Sequence, residues 1–150
     1  MPVEIVRRGA GKKYPARRLK NAATRILELI KQNHAELSVA LIGNGEMRKL
    51  NARYRKKDYP TDVLSFPAAA GMPGGVRLLG DVIISVDKAK EQAKDRDRTL
   101  DEEITTLLIH GVLHLLRYDH ERSAKDARIM GRLEKKIYRA LCDRGRLQVY

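Results

Sequence analysis

Three of the four histidines in this chain, His110, His114 and His120, lie within residues 110–120. On a helix, His110 and His114 would share one face, about one turn apart. His120 follows beyond the predicted end of that helix. Two imidazoles from a helix and a third from the next turn can hold one divalent ion, and three protein ligands leave a fourth position open for water. The spacing therefore predicts a catalytic metal site, with zinc as the metal.

The helix predicted around the first two histidines is apolar on most sides, which indicates that it is buried. Glu103, Thr106, His110, His114 and Arg117 recur at helical spacing and predict one polar stripe along it. A polar stripe on a buried helix is typical of a cleft or a ligand site. The alternative is that the histidines are core residues bonded to carbonyl groups, but three histidines so close together favour the metal site.

The spacing H-x3-H-x5-H is also that of the metzincin proteases, with two differences. Metzincins carry a glutamate directly after the first histidine, where it serves as the general base of peptide hydrolysis. Here that position is Gly111, which cannot take a proton. Metzincins also carry a glycine where this chain has Arg117. The metal geometry can survive these changes, but a protease is disfavoured.

The composition predicts a soluble globular protein with a single domain over residues 1–150, since 43% of the residues are hydrophobic and 33% are charged. No apolar run approaches the ~20 residues that span a bilayer. The first residues lack the apolar core of a signal peptide. One cysteine, Cys142, fits a reducing compartment. We therefore expect a cytoplasmic protein that does not bind membranes.

The net charge of +12 comes from three basic segments, residues 1–20 (net +6), 48–57 (net +6) and 121–150 (net +5), with −5 elsewhere. Together with a hydrolytic metal site, they favour a nucleic-acid substrate over a peptide. Only 5% of the residues are aromatic, so phosphate contacts should outweigh base stacking. Arg55, in the second segment, can offer a planar fork to phosphate oxygens. The alternative is that it belongs to a solvated helix end.

Hydrophobic periodicity predicts four strands and five helices. The strands cover residues 3–6, 36–43, 62–66 and 79–85, and the helices cover 16–33, 46–55, 86–97, 99–116 and 123–143. Because these elements do not alternate as regular βαβ units, we predict an α+β fold. It would have a mixed sheet of about four strands packed with about five helices, and the three-histidine site in a cleft.

Local signals refine the helix starts. Asn44 is predicted as the N-cap of the second helix, Thr99 and Glu102 form a predicted capping box, and Ser123 is the predicted N-cap of the last helix. The spacing of the second helix places Tyr54 on its inner face. The capping box sets the expected start of the histidine helix at Thr99.

Three blocks of the sequence, residues 50–67, 79–85 and 110–121, resemble the YbeY family of bacterial endoribonucleases in order and spacing. The family motif is H-G-x-L-H-L-x-G-Y-D-H, and the resemblance covers residues 37–138. It implies an α+β fold with the site in a basic cleft, one zinc ion held by His110, His114 and His120, and a functional arginine at Arg55. The chain departs from the motif at Arg117, where the family has glycine. This change alters the turn that leads to His120 or adds a phosphate contact.

The resemblance implies an endoribonuclease that prefers single strands. It would act in maturation of the small-subunit ribosomal RNA at its 3′ end and in ribosome quality control. Its partner would be ribosomal RNA or the small subunit. Two alternatives stay open: a non-catalytic ribosome assembly factor stabilised by zinc, and a metallohydrolase of another class, such as a peptidase. The sequence does not identify the general base.

Overall fold

The computed structural model describes residues 3–68, 77–116 and 123–148. Its main strands are β1 (Val3–Arg7), β2 (Glu36–Ile42), β3 (Val63–Pro67) and β4 (Leu78–Ser85). Its helices are α1 (Ala16–Leu29), α2 (Asn44–Arg55), α3 (Val86–Asp95), α4 (Leu100–Leu115) and α5 (Ala124–Ala140). A short 3₁₀ helix (Gly9–Lys13) precedes α1, and a small hairpin of β5 (Cys142–Asp143) and β6 (Arg146–Leu147) follows α5. The predicted count of main elements is confirmed within the described residues.

The four main strands form one mixed sheet in the order β1-β2-β4-β3. Strands β1, β2 and β4 run parallel, whereas β3 is antiparallel to β4 and lies at the edge of the sheet. The predicted α+β class with a mixed sheet is therefore confirmed. The edge position of β3 matters for function, because only one of its two sides is used by the sheet.

The two faces of the sheet are covered unequally. Leu41 of β2 points into the main core, which also contains buried residues of α1, α3, α4 and α5. The next residue, Ile42, points to the other face and packs with Met47 of α2 and Leu64 of β3 in a smaller cluster. Because neighbouring residues of a strand point to opposite faces, α2 lies across the sheet from α4. The edge strand β3 is then the place where side chains from both faces can meet.

Helix α4 is buried along most of its length, as its apolar sequence predicts. It begins with the predicted capping box: the Glu102 backbone N–H donates to Thr99 Oγ1 at 3.1 Å, and the Thr99 backbone N–H donates to Glu102 Oε1 at 2.8 Å. The predicted cap of α5 is also confirmed, because Ser123 Oγ accepts from the backbone N–H of Asp126. Within the described residues, no helix combines the length and the apolar character needed to cross a membrane.

Two details of α2 were predicted wrongly. Asn44 is the first residue of the helix and not its cap, because its side-chain oxygen accepts a hydrogen bond from Ser85 Oγ at 2.7 Å. A tertiary contact thus competes with capping. Tyr54 was expected on the inner face but is 55% exposed, with its ring edge against Phe66.

Helix α1 ends at Leu29, four residues earlier than its periodicity suggests. Lys31 adopts a left-handed conformation with φ of 59°. The backbone N–H of Gln32 donates to the carbonyl of Leu27, and that of Lys31 donates to the carbonyl of Glu28. This is the Schellman arrangement. It is normally signalled by glycine, and a lysine in that role gives the sequence no stop signal.

Candidate functional site

A cleft of about 630 Å³ runs along the edge strand β3. Its walls come from three elements: the strand with the residues just before it, the end of α2, and one face of α4. The chemically active side chains that line it are Arg55, Asp62, Ser65, His110 and His114. The structure therefore brings Arg55 together with two of the three predicted metal ligands, although these residues are far apart in the sequence.

The two histidines of α4 have converging ring nitrogens. Nε2 of His110 and Nε2 of His114 lie 3.1 Å apart, and the ring centroids are separated by 4.6 Å. Nitrogens bound about 2.0–2.1 Å from a tetrahedral zinc ion would lie about 3.3 Å apart. The observed spacing of the two Nε2 atoms fits that requirement.

The third predicted ligand, His120, lies outside the described residues, as do Arg117 and Asp119. Within the described ranges, no group of three histidine, cysteine, aspartate or glutamate side chains is arranged to hold a metal ion. The structure thus describes one pair of the predicted ligands and leaves the predicted site of three untested.

A carboxylate from α5 supports this pair. Glu134 Oε2 lies 3.3 Å from Nδ1 of His110, and both side chains are 26% exposed. Because a carboxylate accepts, this contact favours the proton on Nδ1 and leaves the Nε2 lone pair toward the cleft. We did not predict Glu134 as a site residue. Its helical spacing from Met130 and Ile137, both buried, is the signal that could have found it.

Gly111, directly after the first histidine, is where α4 packs closely against the sheet. A Cβ atom at this position would lie 2.6 Å from Val82 Cγ1, and Ser65 Oγ donates to the Gly111 carbonyl at 2.9 Å. The residue at position 111 therefore faces the sheet and not the cleft. A glutamate could not serve as a base from here without moving the helix, which agrees with the prediction that metzincin chemistry is absent.

The described part of the predicted polar stripe on α4 does not line one cleft throughout, and its last member, Arg117, lies outside the described residues. Glu103 is fully buried, and its carboxylate is bound by Arg96 at 2.6 Å, with Arg98 at 3.8 Å. Thr106 Oγ1 donates to the carbonyl of Glu102 in its own helix. Both arginines come from the connection between α3 and α4. The polar side chains in the first half of the stripe are therefore ion-paired or hydrogen-bonded within the protein. Only the histidine half borders the cleft.

Arg55 is the last residue of α2, and the loop that follows it is held firmly. Lys56 is left-handed with φ of 57°, and the backbone N–H of Lys57 donates to the carbonyl of Asn51. The buried side chain of Asn51 donates to the carbonyl of Tyr59 at 2.8 Å. Within the described residues, Arg55 takes part in no ion pair. These hydrogen bonds anchor the backbone next to Arg55, and its exposed side chain lines the cleft.

Asp62 brings a carboxylate to the cleft wall, and we did not predict it as a site residue. Its Oδ1 accepts from the backbone N–H of Val63 at 2.7 Å, and its Oδ2 accepts from Gln92 Nε2 at 3.2 Å. The backbone N–H of Ser85 donates to the Asp62 carbonyl. The alternation of an antiparallel pair then turns the N–H groups of Val63 and Ser65 away from β4. Asp62 thus stabilises the outer side of the edge strand.

Comparisons with known proteins identify the chain's relatives. The sequence model of the family described as "Endoribonuclease YbeY" matches residues 5–142. A protein named endoribonuclease YbeY from Sulfurihydrogenibium is 48% identical over 120 residues, which cover 80% of this chain and 79% of the relative. A protein of the same name from Aquifex aeolicus is 47% identical over 105 residues, which cover 70% of this chain and 69% of the relative.

A solution structure of a Thermotoga maritima protein has the same fold. It matches with a TM-score of 0.63 and 31% identity, and the match covers 90% of this chain and 85% of the other. The fold and the cleft define an α+β protein that places a histidine pair and an arginine beside an edge strand. With nearly the whole chain matched, it belongs to the endoribonuclease YbeY family.

Proposed function

We propose that this chain is a zinc-dependent endoribonuclease that holds one zinc ion. Its substrate would be single-stranded ribosomal RNA, at the 3′ end of the small-subunit RNA and in ribosome quality control in the cytoplasm. One observation carries the proposal: the Nε2 atoms of His110 and His114 converge in the same cleft as Arg55. Membership of a family named for endoribonuclease activity supports the choice of RNA.

His110 and His114 would hold the metal together with His120. A zinc ion bound there would act as a Lewis acid on a phosphodiester oxygen and would make water easier to deprotonate. The carboxylate of Glu134 would accept a hydrogen bond from Nδ1 of His110. This contact would keep the proton on Nδ1 and orient the ring. We assign Glu134 as a positioning residue.

Arg55 would bind the phosphate group that is cleaved. Its guanidinium can form two parallel hydrogen bonds to phosphate oxygens, and it can neutralise the charge that develops there in the transition state. The hydrogen-bonded loop after α2 would fix the backbone from which the Arg55 side chain extends. A base at position 111 is sterically excluded, which disfavours the peptidase alternative.

The metal part of the proposal is tested by removing zinc. Purified protein should contain about one zinc per chain and should lose cleavage of single-stranded ribosomal RNA after chelation. Added zinc should restore cleavage. A protein that binds ribosomes but never cleaves pure RNA, with or without zinc, would instead be the non-catalytic assembly factor.

The role of Arg55 is tested by Arg55→Lys. Lysine keeps the charge but loses the planar fork, so we expect single-turnover cleavage to fall about tenfold or more, equivalent to one lost transition-state hydrogen bond of ~1.4 kcal/mol. Zinc content and fold should not change. Arg48→Lys is the matched control, because Arg48 lies on the same helix but pairs with Asp58 at 2.8 Å. Wild-type rates for both Arg55→Lys and Arg55→Ala would show that Arg55 has no part in cleavage.

A further inference from the structure

The solvent face of α5 carries four cations in one line. Their spacing alternates between four and three residues, so all four lie on one face of the helix, opposite the buried Met130 and Ile137. All four are exposed. We call this set the α5 basic stripe: Arg128, Arg132, Lys135 and Arg139.

In the part of the chain that the structure describes, the stripe differs from several arginines of the other basic segments in lacking bound carboxylates. Within the described residues, none of its members forms an ion pair. In the remaining segments, by contrast, several arginines are bound to carboxylates: Arg8 to Glu46, Arg18 to Asp101, and Arg48 to Asp58. Like charges one turn apart disfavour a helix. The neighbouring cations therefore repel one another in the isolated protein, and a polyanion would relieve this repulsion.

A glycine lies at the centre of the stripe. A Cβ atom at Gly131 would meet nothing within 4 Å, so packing does not require glycine there. Glycine inside a helix is unfavourable compared with alanine. Its effect here is a shallow depression bordered by Arg128, Arg132 and Lys135, which leaves the helix backbone uncovered between three cations. A phosphate group can approach closely at such a place.

The stripe also lies beside the cleft. Glu134, which neighbours Lys135 in the same helix, contacts His110. A second cavity of about 470 Å³ between α5 and α4 is lined by Glu134, Lys135 and Arg139. One RNA strand could thus pass through the cleft and continue onto α5.

We infer that the α5 basic stripe is a second RNA-binding surface, which holds the phosphate backbone of the substrate outside the cleft. The inference rests on the proposed RNA substrate. The stripe residues do not line the cleft of the histidines. They would therefore raise the affinity for long RNA and leave the chemical step unchanged.

The test is a triple variant, Arg128→Gln, Arg132→Gln and Lys135→Gln. The matched control removes three exposed cations elsewhere: Arg17→Gln, Lys90→Gln and Lys94→Gln. Fluorescence anisotropy would give the affinity for RNAs of about 30 and about four nucleotides, the shorter one filling only the cleft. Single-turnover cleavage of both RNAs would be measured alongside.

For the stripe variant we expect about tenfold weaker binding of the long RNA. The slope of log affinity against log salt should fall by about two to three. Binding of the short RNA and the maximal cleavage rate should not change, and the control variant should behave like wild type. Equal losses in both variants, or unchanged affinity and slope in the stripe variant, would overturn the inference and leave α5 as a solvated face or a site for an acidic protein. Binding is measured separately from cleavage, so loss of RNA binding without any zinc-dependent cleavage would support the stripe while contradicting the proposed function.

Discussion

The two halves of α4 use their polar residues in opposite ways. In residues 100–106, Glu103 and Thr106 are bound within the fold, by Arg96 and by the helix's own backbone. In residues 109–115, His110 and His114 face a cleft, with their Nε2 atoms toward each other. The sequence shows one stripe of polar residues with even spacing, so the difference lies entirely in what surrounds each half.

This comparison shows how to separate structural from functional polar groups in a buried helix. A buried carboxylate with a cation at 2.6 Å has its charge compensated inside the protein. A pair of imidazoles with converging nitrogens and a carboxylate behind one of them has the features of a ligand site. Changes in the first half should therefore affect stability alone, whereas changes in the second half should affect metal binding.

The largest effect is expected from His114→Ala. Loss of a metal ligand should weaken zinc binding by more than about a hundredfold, since even indirect supports of metal ligands contribute 10- to 100-fold. Cleavage should disappear with the zinc, and the zinc-dependent part of thermal stability should disappear as well. Thr106→Ala, in the first half of the helix, is the control and should keep zinc binding and cleavage. Full zinc occupancy in a His110→Ala/His114→Ala double variant would show that the metal is held elsewhere.

Gly111→Ala should disturb the contact that positions both histidines. The new methyl group would lie 2.6 Å from Val82 Cγ1, and Val82 is fully buried and stiff. We expect a destabilisation of about 1–3 kcal/mol together with reduced zinc affinity, measured by denaturant unfolding and zinc competition.

A matched change at a helical glycine without close neighbours gives the contrast to Gly111→Ala. Gly131→Ala meets no neighbouring atom and should stabilise the protein by about 0.5–1 kcal/mol. If both variants were stabilised, close packing of α4 on the sheet would not be the reason for glycine at position 111.

Glu103→Gln tests the structural half directly. The carboxylate is fully buried, but its partner Arg96 is half-exposed and can be solvated once the charge is lost. The cost should therefore be about 1–2 kcal/mol, below that of breaking a fully buried pair. Zinc affinity and cleavage rate per folded molecule should remain those of the wild type. Lowered zinc affinity in this variant would mean that the two halves of α4 are coupled.

The smallest effect concerns Glu102 in the capping box. The backbone N–H of Thr99 lowers the pKa of the Glu102 carboxyl below its ordinary value of 4.5. Its charge therefore stabilises the native state above that value, and this contribution is lost as the pH falls through the lowered pKa. Glu102→Gln keeps a hydrogen bond to the cap but loses the charge near the helix start, so we expect a loss of a few tenths of a kcal/mol at neutral pH. The stability difference between wild type and Glu102→Gln should shrink as the pH falls below 4.5 and through the lowered pKa. A difference that grew in acid would contradict the assignment.

The elements were predictable where the signal was local. The Thr99 capping box and the Ser123 cap depend on residues within one turn, and both are confirmed. Asn44 was predicted wrongly because Ser85, from another strand, takes the side chain that would have capped the helix. Tyr54 was predicted wrongly because periodicity assumes a helix that is covered along its whole inner face. Met47 and Leu50 of α2 belong to the smaller cluster, whereas Tyr54 in the last turn is 55% exposed.

By itself, the sequence determined the candidate ligands, the family and the order of the elements, because these depend on residue types and on spacing along the chain. Only the tertiary structure decided which polar residues meet. It placed Glu134 behind His110, buried Glu103 against Arg96, and turned position 111 toward the sheet. Among the described residues, it also left the four cations of the α5 basic stripe without ion pairs, while it paired Arg8, Arg18 and Arg48 of the other basic segments with carboxylates. The physical reason is that the chemical role of a charged group or a lone pair depends on its nearest neighbours in space. In this fold those neighbours come from other elements.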